Sequence, residues 1–173
     1  MDAVTQHHGP DALEIVPVAL TSPVAAALIT ALNTELIALY SEPGATHFRL
    51  DPGEVAPDAG IFLVAQWGGR PVGCGALRCL REPALTRELG SAVGKLKRVY
   101  VAPDARGHGI GRTLLARLET EARRLGLTRL VLETGTRQAD TRALYHRAGF
   151  TGIPVYGEYA ATPATSICMA KAL

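Results

Sequence analysis

Hydrophobic spacing changes rhythm several times along the chain, and each change marks an element. ALEIVPVA (12–19) reads as a first strand, which Pro17 confines to a sheet edge or a bulge. Ser22-Pro23 supplies an N-cap and a proline suited to the first helical position. Leu28, Ile29, Leu32, Leu36, Ile37 and Tyr40 follow at helical spacing, so a helix runs to about residue 40. Residues 41–60 are polar and proline-containing, a loop. IFLVAQW (61–67) and PVGCGALRC (71–79) flank Gly68-Gly69-Arg70 and predict a hairpin. Residues 80–94 read as irregular, with room for one helical turn.

The second half is more regular. KLKRVYV (95–101) predicts a strand, and 110–125 a helix whose Leu114, Leu115, Leu118, Ala122 and Leu125 form one apolar stripe, with Gly126 beyond its end. RLVLET (129–134) predicts a buried strand. Strand, helix and strand at this length make a crossover unit, which implies adjacent parallel strands. A short helix is expected over 140–148, and one or two strands after residue 156, with SICMA (166–170) the clearest. The fold class that results is α/β around a mixed sheet, one domain over 11–173 behind a loose tail, 1–10.

Composition narrows the function classes. A net charge of +2 and 5% aromatic residues give neither a basic footprint nor a stacking platform for nucleic acid. No apolar run approaches a membrane span and no leader pattern is visible, so a cytoplasmic protein is expected. Cys74, Cys79 and Cys168 lack metal-ligand spacing and are odd in number, which predicts buried thiols rather than disulfides or a metal site.

ARGHGIGRTLL (105–115) is the segment with chemistry. Glycine is unfavourable at a helix start, yet Gly107, Gly109 and Gly111 alternate there between a strand and a helix. Bare backbone at a helix N-terminus exposes N–H donors in a positive field, a seat for phosphate, with the Arg106 cation at its edge. A Walker A loop needs a lysine after its last glycine, and Gly111 is followed by Arg112-Thr113. The G-x-G-x-x-G fingerprint fails as well, since its third glycine would fall on Arg112 or Leu114. R-x-x-G-x-G remains: Arg106, Gly109, Gly111.

KRVYVAPDARGHGIGRTLL, then LVLETG, then ALYHRAGF, resembles the acetyl-coenzyme-A-binding core of the Gcn5-related N-acetyltransferases (GNAT) over residues 95–150. The resemblance implies a mostly antiparallel sheet of six to seven strands. Strands 4 and 5 form a parallel, splayed pair, and about four helices flank the sheet. It implies that Gly107, His108, Gly109, Ile110, Gly111 and Arg112 offer backbone N–H groups to the pyrophosphate, and that Val99, Tyr100 and Val101 pair with the pantetheine arm. Gln138 stands where many relatives have an asparagine that contacts that arm. Tyr145 stands where a tyrosine commonly faces the thioester sulfur.

The implied reaction is direct acetyl transfer to an amine, without a metal. A backbone N–H of 99–101 is the expected donor to the thioester carbonyl, and Tyr145 the acid for the leaving thiolate. The amine must lose a proton, and relatives often carry a glutamate early in the fourth strand, where this chain has Lys95. Glu133 is a candidate base, a structural partner of an arginine is an equal reading of it, and water relayed to carbonyls is a third route. For the acceptor, Arg49 suits a carboxylate, and Tyr156, Glu158 and Tyr159 lie in the segments expected to surround it. The expected acceptor is a small, amino-acid-like primary amine. A protein or peptide acceptor, or a non-catalytic acyl-coenzyme-A-binding module, is the alternative. Dimers are common in the family; the sequence does not set the oligomeric state.

Overall fold

The computed structural model describes residues 12–43 and 48–173; the expected tail, 1–10, lies outside them. The elements are β1 (Leu13–Pro17), α1 (Pro23–Leu39), β2 (Gly60–Trp67), β3 (Arg70–Cys79), α2 (Pro83–Leu89), β4 (Val93–Val101), α3 (Ile110–Arg124), β5 (Arg129–Gly135), α4 (Ala139–Arg147), β6 (Thr151–Ile153) and β7 (Ser166–Ala172). They form one seven-stranded sheet in the order β1-β2-β3-β4-β5-β7-β6. Every neighbouring pair is antiparallel except β4 and β5. β1 is an edge strand, as Pro17 requires.

The pleat sends alternate side chains to opposite faces. Leu63, Leu77, Leu96, Leu130 and Leu132 pack against Leu114, Leu115 and Leu118 of α3 and Tyr145 of α4. On the other face Phe62, Val64, Cys74, Ala76 and Tyr100 meet Ala25, Leu28 and Leu32 of α1. A third cluster joins Leu80, Leu89, Val131, Cys168, Tyr156 and Tyr159 beside the 3₁₀ turn Gly157–Ala161. Ser22 accepts from the Ala25 N–H at 3.3 Å, the cap expected for α1.

The strand and helix positions match the hydrophobic spacing closely, with two differences. The 80–94 stretch forms a full helix, α2, with Pro83 in its first turn and Gly90 at its end. The short strand β6 precedes residue 156 and pairs with β7 across the 3₁₀ turn, so only β7 falls in the tail segment. Cys74, Cys79 and Cys168 are free thiols; burial pushes Cys74 up to about 12, which keeps it unreactive. Among the described residues no helix is long and apolar enough to cross a membrane.

What positions the site is a defect in β4. Cys74 faces Tyr100 and Ala76 faces Lys97, so Gly75 alone opposes both Arg98 and Val99. This bulge places Arg98 at φ +56°, a conformation uncommon for a residue with a side chain. A Cβ at Gly75 would crowd Leu118 Cδ1 at 3.0 Å, so its bareness lets α3 pack close on β3. β4 pairs with β5 only over Val93–Lys95 against Arg129–Val131. Beyond Lys95, ahead of the bulge, the two strands no longer pair.

Candidate functional site

Three glycines open α3, for two different reasons. Gly107 and Gly109 have φ of +82° and +77°, where an L side chain is strained, and nothing lies within 4 Å of where a Cβ would be. Gly111 is ordinary in backbone, but a Cβ there would sit 2.9 Å from Leu144 Cδ2, so its bareness lets α4 approach α3. Gly109 is the N-cap and supplies no side-chain cap, which leaves the first-turn N–H groups of Ile110, Gly111 and Arg112 directed outward. This is an open cradle of donors suited to an anion.

The separated strands give a second feature. Ala102 N–H donates to Val72 O at 2.7 Å, so by strand alternation Tyr100 addresses β3 while Val99 and Val101 address the side β5 has vacated. The outward N–H groups of Val99 and Val101 therefore face no neighbouring strand among the described residues. The gap leads to a cavity lined by Leu96, Lys97, Arg98 and Val99 of β4, Glu133, Thr134 and Gly135 of β5, Leu32, Leu36 and Tyr40 at the α1 end, Gln138, Thr141 and Tyr145 at α4, and Tyr159.

Its titratable groups are held away from their ordinary ranges. Tyr145 is 4% exposed, and burial first, then the nearby Glu133 charge, raises its pKa so that the phenol keeps its proton. Its ring meets Phe150 edge-on at 5.8 Å. Burial also raises Glu133, while the Ser166 hydroxyl and the Lys95 charge pull it back. Lys95, on the same face, lies 3.6 Å from Glu158 and 4.5 Å from the centre of the Tyr159 ring. Burial, with Lys97 and Arg78 nearby, brings its ammonium down to about 8 against the opposing pull of Glu158.

An open cradle of N–H donors thus follows a strand edge without a strand partner, which borders a cavity carrying a phenol and a carboxylate. Residues 25–150 match the model of the acetyltransferase (GNAT) family. The chain belongs to the GNAT family. It is 42% identical over 146 residues to an IAA acetyltransferase of Azospirillum brasilense, covering 84% of this chain and 88% of that one. Its fold is shared with a Klebsiella pneumoniae protein assigned to the acyl-CoA N-acyltransferases (TM-score 0.75, 33% identity, 93% of this chain and 97% of that one). A GNAT family acetyltransferase from Elizabethkingia anophelis, solved with acetyl-CoA bound, has the same fold at 18% identity (TM-score 0.63, covering 93% and 98%). GNAT proteins are acyltransferases, and this chain is one of them.

In this GNAT chain the anticipated residues fall into three groups. Val99, Gln138, Glu133 and Tyr145 do line the cavity. Glu133 forms an ion pair with no arginine among the described residues, so the reading of it as an arginine's partner is replaced by that of a cavity carboxylate. Gln138 faces the gap but spends Oε1 on the Gly135 N–H at 2.9 Å, leaving its amide NH₂ to act.

Others have a different employment. Arg106 does not stand free beside the glycines. Its Nε donates to Val101 O at 2.8 Å and its Nη2 pairs with Glu35 at 2.8 Å, so it ties the loop to α1 and removes the Val101 carbonyl from the open edge. His108 is exposed, yet it is not merely solvent-facing: its ring meets that of Trp67 at a tilt, with centres 4.5 Å apart. Arg112 is exposed at the start of α3.

Two acceptor residues are corrected. The Arg49 side chain is 83% exposed and ion-paired with Asp51 at 2.9 Å, because the two are neighbours on one turn outside the cavity. Tyr156 is 2% exposed and packed edge-on against Tyr159; Tyr159 is the one that reaches the cavity. The spacing of residues gave no sign of Lys97, Arg98 or Tyr40 as cavity residues. The first two depend on a bulge that has no local sequence signal, and Tyr40 on where the end of α1 meets β5.

Proposed function

We propose that the protein transfers the acetyl group of acetyl-coenzyme A directly to the nitrogen of a small primary amine, amino-acid-like in kind. The observation that carries this reading is the succession of an open Gly107–Gly109 cradle after β4, a β4 edge that β5 no longer pairs, and a cavity that brings Val99, Glu133 and Tyr145 together. Bare glycines with open space above them fit a pyrophosphate. An unpaired strand edge fits an arm that presents amides in extended form.

The residues then divide the work. The N–H groups of Ile110, Gly111 and Arg112 hold the phosphates, and Val99 aligns the pantetheine arm. A Val99 or Val101 N–H is the donor for the thioester carbonyl, where negative charge develops during attack. Glu133, with its affinity for protons raised by burial, accepts one from the acceptor ammonium and so frees the nucleophile. Tyr145, protonated throughout the physiological range, donates to the departing sulfur.

Thiol release from acetyl-coenzyme A across a panel of amines tests this reading. Turnover is expected with small primary amines, and Tyr145→Phe should lower kcat by about a hundredfold while coenzyme A still raises Tm. Binding of acetyl-coenzyme A without turnover on any amine would make the protein a binding module. Turnover confined to peptides would move the acceptor to another class.

A further inference from the structure

One end of the cavity holds a charge that has no counterion among the described residues. Arg98 lines it and is 8% exposed. Its Nη2 donates to the neutral Asn33 Oδ1, its guanidinium lies 5.3 Å from the Phe48 ring centre, and its buried Nε has no partner among the described residues. No carboxylate among the described residues forms an ion pair with it. Other arginines of the chain are treated differently: Arg78 holds Glu54 and Glu82, Arg106 holds Glu35, and Arg137 holds Glu42.

Lys97 lies beside Arg98 in the lining, and its ammonium donates to the Arg49 backbone carbonyl rather than to a carboxylate. Among the described residues Glu133 is the single carboxylate of the lining, against these two cations. An arginine taken out of water without a carboxylate is costly to the fold. Arg98 is also held at φ +56° on the bulge, a strained backbone of the kind retained where a site needs it. A planar guanidinium with an unmet donor is suited to a carboxylate above other anions of small metabolites that carry amines.

We propose that the acceptor carries a carboxylate as well as its reacting amine, and that Arg98, with Lys97 beside it, anchors that carboxylate while the amine faces Glu133. The acceptor class is therefore amino acids, and polyamines are disfavoured by the two cations. This assignment rests on the acetyl-transfer reading above and moves the carboxylate contact from Arg49 to the β4 bulge.

Thiol release is measured with L-amino acids, their carboxamides and their decarboxylated amines, as ratios of kcat/KM between members of each matched set. For the best amino acid, the acid should exceed its carboxamide roughly ten- to hundredfold, the range of a hydrogen bond to a charged group. In Arg98→Gln that ratio should fall toward one, mainly through KM of the acid; Arg98→Lys should retain part of it, and Lys97→Gln should reduce it less. Coenzyme A thermal shifts identify the variants that are folded. Should Arg98→Gln not fold, the wild-type ratio together with Arg98→Lys and Lys97→Gln decides. Carboxamides or plain amines used as well as the acids by the wild type would overturn the assignment and leave acetyl transfer standing. So would a ratio unchanged in every folded variant. Absence of turnover on every amine would overturn both readings.

Discussion

Lys95 shows how one side chain can set the pH response of the fold. It is 4% exposed, flanked by Glu158, Tyr156, Tyr159, Lys97 and Arg78, with Glu133 across the gap, and its ammonium titrates at about 8 instead of its ordinary 10.5. Between those values the unfolded chain binds a proton that the folded chain has released, so stability contributed through Lys95 rises with pH across that window. Below pH 8 both states are protonated and the full penalty of burying the charge remains. A tenfold change in proton affinity is worth about 1.4 kcal/mol, so the penalty has a ceiling of a few kcal/mol. Urea unfolding at pH 7 and pH 9.5 should show wild type gaining more than Lys95→Met between the two, with the variant the more stable at pH 7. Equal gains would mean that Lys95 titrates normally. The replacement of a glutamate by Lys95 was visible in the sequence. Its setting between two tyrosines was not, because Tyr156 and Tyr159 come from a 3₁₀ turn some sixty residues later.

Among elements, the junction of α1 with β5 is the most constrained contact near the cavity. Tyr40, just past α1, lays its ring on Gly135 at the end of β5 and accepts the Arg137 N–H at 2.8 Å. A Cβ at Gly135 would lie 2.9 Å from Tyr40 Cε2 and closer still to Cζ and Oη, and an aromatic ring cannot yield as a flexible side-chain end would. Gly135→Ala should cost about 1–3 kcal/mol by overpacking, a drop of roughly 3–10 °C in Tm for a chain of this size. Gly111→Ala meets only the mobile end of Leu144 and should cost much less in the same melting experiment. Helices α1 and α3 were legible from their spacing and caps because such signals are local. The role of Tyr40 was not, since it depends on a contact across ninety-five positions. The β4 bulge escaped for a related reason: Arg98 and Val99 look like ordinary strand residues until Gly75 is placed opposite them.

At the scale of the whole molecule, the sequence disclosed the donor side far better than the acceptor side. The glycines, the strand before them and the helix after them are contiguous, so their arrangement is written within residues 93–124. The acceptor end draws on β4, β5, α1 and the 3₁₀ turn, and only tertiary packing brings Arg98, Glu133 and Tyr159 together. The gap between β4 and β5 has a further consequence for the catalytic cycle. In the proposed binding mode the cradle and the strand edge hold the nucleotide and pantetheine parts, and only the Val99 or Val101 N–H that faces the thioester carbonyl touches the acetyl group. Coenzyme A, once it has given up that group, keeps every other contact. The product should therefore compete with acetyl-coenzyme A at an inhibition constant within about a hundredfold of the substrate's own affinity, since the lost acetyl group is worth a methylene or two of burial and one hydrogen bond. Steady-state rates measured with added coenzyme A check this. On that reading the open edge that accepts the substrate also holds what is left of it, so that turnover should follow the ratio of acetylated to free coenzyme once the two together saturate the site.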